Sequence, residues 1–167
     1  MRTSKHRAIS IRTMGAADRP AVVDIIMAVG NFNPAERDCA LELVDIFLQG
    51  GGQKDYCFAI AVDCDDAVKG YACWGPTPLT SATYDLYWIA THPDSQGLGF
   101  GRALMEYVES SVRRENGRLL VVETSSKESY GDTVRFYRIL GYEETSRIRD
   151  FYDVGDDKLI FVKRLSH

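Results

Sequence analysis

The sequence predicts a mixed α/β protein of the α+β kind, a single sheet with helices between its strands. Three observations predict it. Segments of period-2 apolar alternation or aromatic runs recur along the chain, stretches with helical spacing of apolar residues separate them, and Gly or Pro clusters mark the changes. The expected order is β-α-α-β-β-β-α-β-α-β-β, without an internal repeat, low-complexity segment or linker. The chain has 167 residues, 45% of them apolar, which suits one domain (1–167, core 8–165) rather than two.

"AISIRTM" (8–14) alternates Ile9 and Ile11 with polar neighbours and reads as the first strand. Asp18 offers an N-cap with Pro20 close behind, and Val22, Val23, Ile26 and Val29 continue a short helix that Gly30 stops. After the turn "NFNP", a second helix from Pro34 places Ala40, Leu41, Val44, Phe47 and Leu48 on one face, and "GGGQ" ends it. "YCFAIAVDC" (56–64) is a strand, "DCDDAVKG" a hairpin turn into "VKGYACWG", and "TYDLYWIAT" (83–91) a long aromatic strand. The helix after "QGLGFG" carries Leu104, Tyr107, Val108, Ser111 and Val112 at helical spacing. The continuous apolar run in "GRLLVVETS" (117–125) predicts a strand buried on both faces. "TVRFYRIL" is a short helix closed by Gly141, and "YEETSRIRDFYDVGDDKLIFVKRL" gives two strands joined at "DVGDD".

A net charge of −4 argues against a broad cationic face, so no nucleic-acid partner is expected. The four cysteines, Cys39, Cys57, Cys64 and Cys73, form no CxxC pair and have no histidine at zinc-like spacing, so no metal is expected. Cys57 and Cys73 lie in apolar runs, where a reduced cysteine acts as a small hydrophobe. No long apolar span appears, and the basic "MRTSKHR" is followed by no apolar signal region. A cytoplasmic protein without a membrane partner is the expectation.

The stretch "WIATHPDSQGLGFGRALMEYVE" (88–109) places Gly97, Gly99 and Gly101 at the mouth of a helix, although glycine is a poor helix former. Either they shape a turn, or they let backbone N–H groups approach something negative. The first N–H groups of a helix lack intrahelical acceptors and carry a partial positive charge, and glycines remove the β-carbons that would hold a phosphate away. A dinucleotide-type fingerprint fits poorly, because the glycines alternate and no early βαβ unit contains them.

"QGLGFG" (Gln96–Gly101) matches the Q/R-x-x-G-x-G/A signature of the GCN5-related N-acetyltransferase (GNAT) superfamily, and "RFYRILGY" downstream resembles its "FYxxxGF/Y" segment. Each motif lies in its proper context, and the element order agrees over residues 8 to 165, so the chain resembles this superfamily over nearly its whole length. The resemblance implies the GNAT fold, with strands 4 and 5 splayed, and acetyl-CoA as co-substrate. It implies that backbone groups of Ile89, Ala90 and Thr91 pair with the pantetheine and polarise the thioester carbonyl, with Trp88, Ile89 and "LLVV" as walls. Within the motif that Gln96 opens, Gly97, Leu98, Gly99, Phe100, Gly101 and Arg102 would hold the pyrophosphate. Many relatives have Asn and a small residue where this chain has Tyr130 and Thr133; Thr133 is then a cofactor contact or a helix cap.

The implied reaction is direct attack of a neutral amine on the thioester, which needs a deprotonated nucleophile, an oxyanion donor and a proton for the thiolate. Tyr137 is the candidate acid, since thiol and phenol titrate near ~8.5 and ~10. Its neighbour Phe136 is the better core candidate, because adjacent helix positions face about 100° apart. Asp85 and Glu123 occupy regions where relatives carry a basic carboxylate. An ordinary Asp taking a proton from an ammonium is uphill by roughly 9 kcal/mol, which favours a water chain or a positioning role. His92 is expected to be a solvated loop residue.

The acceptor is a small-molecule or peptide amine. Relatives select it through the first two helices and the last hairpin, here "VGNFNPAERD" and "DFYDVGDDK". Phe32, Tyr71, Trp74, Tyr84, Tyr87, Phe151 and Tyr152, with Asp85, Asp150 and Asp153, are candidates for an amine pocket. Homodimers are frequent among relatives, and the aromatic strands would permit one. Competing readings are an acyl-CoA-binding regulatory module without catalysis and an acyltransferase that uses a longer acyl-CoA.

Overall fold

The computed structural model describes residues 8–165, so the reading of "MRTSKHR" lies outside the described residues. The strands are β1 (Ser10–Thr13), β2 (Cys57–Val62), β3 (Val68–Pro76), β4 (Thr83–Thr91), β5 (Leu119–Ser125), β6 (Glu143–Asp153) and β7 (Asp156–Arg164). The helices are α1 (Arg19–Ala28), α2 (Pro34–Gln49), α3 (Phe100–Arg114) and α4 (Gly131–Ile139). Their order is the predicted one. Three short 3-10 turns, Ala16–Asp18, Pro93–Ser95 and Glu128–Tyr130, add to it; they are too short to show a period.

The seven strands form one mixed sheet in the order β1-β2-β3-β4-β5-β7-β6. β4 and β5 are parallel, in register from Thr83↔Leu119 to Leu86↔Val122. β5 pairs antiparallel with β7 along its whole length, from Leu119↔Arg164 to Ser125↔Lys158. The parallel register therefore ends before the carboxyl end of either strand.

Helix starts follow local chemistry. Asn33 caps α2 through a reciprocal box: its side chain accepts from the Glu36 N–H (2.9 Å) while the Glu36 carboxylate accepts from the Asn33 N–H (2.7 Å). Asp18 stands at the N-cap position of α1, as predicted, but its side chain makes no cap bond. It accepts instead from the Gly15 N–H (2.8 Å) and from both terminal nitrogens of Arg12 (2.8 and 2.9 Å). The Arg12 guanidinium thus holds the Asp18 carboxyl below its ordinary value, although burial opposes this.

The described residues fall into two compact units. The first takes in the chain up to Gln53 together with Phe58–Ala72 and Trp88–Tyr107. Its core holds Val22, Ile25, Ile26, Val44 and Ile60, with Phe58 stacked on Tyr71 (6.3 Å) and tilted against Phe47 (5.1 Å). The second comprises Lys54–Cys57, Cys73–Tyr87 and the chain from Val108 onward. It buries Val108, Val112, Leu120, Val122, Tyr137, Tyr142, Leu159 and Phe161.

Three expectations change. β5 is not buried on both faces: Leu120 and Val122 are inside, while Leu119 and Val121 are half-buried and Glu123 is exposed. Its apolar run packs one face fully and the other partly. α4 begins at Gly131, two residues before "TVRFYRIL", because the turn Glu128–Tyr130 already points the backbone into the helix. Thr133 therefore lies inside the first turn and is not the cap. Finally, Tyr137 rather than Phe136 is the core residue of α4: Tyr137 is 3% exposed and Phe136 half-buried.

Gly75, in β3, is required by close approach. A β-carbon there would collide with the backbone carbonyl of Asp55 and lie 3.3 Å from the Tyr87 ring. Gly75→Ala is expected to destabilise the fold by about 2 kcal/mol, because a backbone oxygen cannot swing away as a side chain can. Thermal unfolding should show a Tm lower by roughly 4–8 °C for a chain of this size.

Candidate active site

In the first unit, β4 ends at Thr91 and a compact turn leads into α3. The His92 N–H donates to the Lys69 carbonyl (2.9 Å), and the His92 imidazole Nδ1 accepts from the Asp94 N–H (3.2 Å), so His92 caps the 3-10 turn Pro93–Ser95. It stands in the loop as expected, with its side chain 35% exposed, and also braces the turn. The Ser95 N–H returns to the His92 carbonyl (2.8 Å), and Ser95 is buried. These bonds hold the chain on which Gln96, Gly97, Leu98 and Gly99 stand exposed.

Gly97 and Gly99 answer the question their spacing raises. Both have φ in the left-handed region, 73° and 94°, where an L side chain is strained. A β-carbon on Gly97 would meet nothing within 4 Å, and one on Gly99 only Ile9 Cδ1 at 3.5 Å. Crowding does not demand these glycines; the path of the backbone does. Phe100 is 1% exposed and anchors the loop, and the Ala103 N–H closes the first helical bond onto the Gly99 carbonyl (3.0 Å). The amides of Phe100, Gly101 and Arg102 precede that bond and have no partner within the helix. The first turn of α3 has no acidic residue, and Arg102 is exposed beside it. This end of the helix suits an anion. Upstream, Ala90 is buried while Ile89 and Thr91 are half-buried.

A cleft of about 260 Å³ in the same unit is lined by Asp63, Cys64, Asp65, Lys69, Asp94, Ser95 and Phe100. Three carboxylates face one ammonium there, and Lys69 is already engaged with Asp63 at 3.3 Å. A diphosphate has no reason to enter it.

In the second unit, Tyr137 is enclosed by rings: Phe136 at 5.5 Å, Tyr142 at 5.8 Å and Phe161 at 6.0 Å. This burial pushes its phenol above the ordinary tyrosine value. Asp85 accepts from the Thr77 hydroxyl (2.7 Å). Burial, then the nearby Asp85 charge, raises the neighbouring Tyr87 phenol to about 12. Glu123 is half exposed and ion-paired with Lys158 at 2.6 Å. Neither carboxylate is a desolvated, unpartnered base.

The candidate acceptor aromatics divide. Phe32 and Trp74 are buried, Tyr71 is fully so in the stack on Phe58, and Phe32 packs edge-on against Trp88 at 5.2 Å. These are core residues. Phe151 and Tyr152, on the edge strand β6, are about half exposed and form a T-shaped pair at 4.9 Å. Asp150 is bound into the hairpin, accepting from the Gly155 N–H (2.6 Å). Among the described residues no group of three or more His, Cys, Asp or Glu is placed to hold a metal, and no helix is long and apolar enough to cross a membrane. None of the four cysteines is in a disulfide.

Glu109, Tyr142 and Lys163 form one hydrogen-bonded ionic cluster that sequence pattern did not reveal, with Glu109 and Tyr142 buried and Lys163 half-buried. One signal was present. Glu109 lies three and four positions from Val112 and Met105, on the apolar stripe of α3, where a carboxylate must find a partner.

The geometry agrees with what comparison with known proteins finds. No curated protein sequence matches the chain. The acetyltransferase (GNAT) domain family matches residues 54–144. A Desulfovibrio desulfuricans protein assigned to the GNAT family shares 42% identity and a TM-score of 0.89, over 95% of this chain and 100% of the other. Two more distant structures share the fold at 21% identity. One is the ribosomal-protein-S18-alanine N-acetyltransferase of Escherichia coli (TM-score 0.74; 96% of each chain). The other is a Salmonella typhimurium acetyltransferase solved with acetyl-CoA (TM-score 0.73; 96% of this chain and 95% of that one). With the family model matched over more than half of the chain and a 42% identical relative aligned over 95% of it, the chain belongs to the GNAT family of acetyltransferases.

Proposed function

We propose that this protein is a single-domain N-acetyltransferase that moves the acetyl group of acetyl-CoA to a primary amine by direct attack. The observation that carries the reading is the turn Gln96–Arg102, where Gly97 and Gly99 adopt left-handed backbone and open a helix start with no acidic residue in its first turn. Acetyl-CoA supplies an activated thioester. The open space around Gly97 and Gly99 fits the diphosphate of that co-substrate, since no β-carbon stands over the amides. The amides of Gly97–Arg102 hold the diphosphate and Arg102 adds a charge at the rim. The backbone of Ile89, Ala90 and Thr91 takes the pantetheine and polarises the carbonyl. Gln96 and Thr133 are assigned supporting contacts.

As the new N–C bond forms and the C–S bond breaks, the amine loses a proton and the sulfur gains one. Tyr137 gives the second proton: its burial keeps the phenol protonated throughout the neutral range. For the first proton, the Thr77 bond on Asp85 and the Lys158 pair on Glu123 support roles in orienting the ammonium or a water chain. The amine is that of a small molecule or of a peptide, at its terminus or on a lysine side chain, met in the cytoplasm, and a homodimer is the proposed assembly.

The test is a panel of primary amines and peptides with acetyl-CoA, following free thiol and the mass of the acceptor. Acetylated amine with stoichiometric thiol is the expected outcome. Tight acetyl-CoA binding with no acceptor consumed would make the protein a binding module. Faster turnover with propionyl- or succinyl-CoA would change the acyl group.

A further inference from the structure

The turn that follows α4 packs and hydrogen-bonds against Tyr137. Its carbonyl accepts from the Leu140 N–H (3.1 Å) and the Tyr142 N–H (3.0 Å), and its ring lies against those of Tyr142 and Phe161. That turn is a helix end, whose last carbonyls lack partners within the helix. The partner comes from β7. Lys163 Nζ donates to the Leu140 carbonyl (2.9 Å) and to both oxygens of Glu109 (2.8 and 2.9 Å). The Glu109 carboxylate in turn accepts from the Tyr142 hydroxyl (3.1 Å), with Arg113 at 3.5 Å on its outer side. One ammonium and one carboxylate therefore grip residues 140 and 142, on either side of Gly141. Lys163 and Phe161 are two apart on β7, so the strand that packs the ring also presents the ammonium on the same face.

We infer that Lys163 and Glu109 are positioning residues for Tyr137, holding the 140–142 turn so that the phenol keeps one fixed placement. The inference rests on the general-acid reading above. The Glu109 side chain is 8% exposed and that of Lys163 25%. An ion pair at this depth is poor value for stability alone, since apolar residues of similar volume often serve as well. What it supplies is direction: three donors from one ammonium reach the carboxylate and the helix-end carbonyl at once.

The test replaces both members, Glu109→Leu with Lys163→Met, so that no unpaired charge stays buried, and measures kcat and KM in wild-type and Tyr137→Phe backgrounds. In the wild-type background kcat should fall about ten-fold, with KM for acetyl-CoA within about two-fold. In the Tyr137→Phe background the same pair should change kcat less than two-fold, because the group it positions is gone. Lys163→Arg, which keeps the charge, should recover part of kcat. An equal fall in both backgrounds means a general structural role and overturns the inference. So does unchanged kcat in the wild-type background while Tyr137→Phe is slow. If Tyr137→Phe alone is as fast as wild type, the general-acid reading fails first and this inference with it.

Discussion

Tyr137→Phe is expected to lower kcat about 100-fold and to leave the Kd for acetyl-CoA within two-fold. The substitution keeps the ring that packs against Tyr142 and Phe161 and removes only the hydroxyl, so the loss falls on the chemical step. A general acid is worth roughly 10²–10⁴ in rate, and an interaction made only in the transition state lowers kcat without raising KM. The pH dependence carries a sign. Burial disfavours the charged phenolate and raises the phenol above its ordinary value, near ~10 in water. The proton is therefore in place at every pH up to about 10, and kcat should rise with pH as the acceptor amine deprotonates, without an alkaline fall below that point. Steady-state kinetics from pH 6 to about 10 measures both. Turnover in Tyr137→Phe within three-fold of wild type across the amine panel would remove this residue from the mechanism.

Gly99→Val is expected to weaken acetyl-CoA binding about thirty-fold by calorimetry, a loss of about 2 kcal/mol. A β-branched residue at φ 94° lies outside the conformations open to it, and the left-handed region costs an L residue about 1–2 kcal/mol even where it is allowed. Valine will relax toward negative φ and turn the amides of Phe100–Arg102 away from a common point. Its β-carbon would touch only Ile9 Cδ1, at ordinary contact distance, so the fold should melt within a few degrees of wild type. Loss of affinity without loss of stability is the signature of a backbone cradle. Undiminished binding in a folded Gly99→Val protein would place the diphosphate elsewhere.

Most of the fold could be read from local pattern. β4 runs over the residues predicted, Thr83–Thr91, because aromatic and β-branched residues fill it between turn signals. α2 begins at Pro34 because Asn33 and Glu36 satisfy each other's backbone N–H groups within four residues. The turn at Gly97 and Gly99 was legible for the same reason: positive φ is a single-residue property that glycine announces.

Where partners lie far apart in the chain, the reading ran out. The swap of Phe136 for Tyr137 as the buried residue turns on contact with Phe161, on a strand far along the chain from the helix. The exposure of alternate residues in β5 depends on what covers each face, and "LLVV" looks alike whether one face is packed or both.

Short-range pattern was enough for the element order, the start of α2 at Pro34 and the glycine turn before α3, since each is settled by residues within a turn or two of one another. That Lys163 reaches Glu109 across 54 positions, and that both close on the turn beside Tyr137, follows from long-range packing alone. The physical reason is that a period or a cap is a short-range property of the backbone. A buried charge pair instead exists only where sheet order brings β7 and α3 together, and at Lys163 the chain shows no more than an ordinary lysine near the end of a strand.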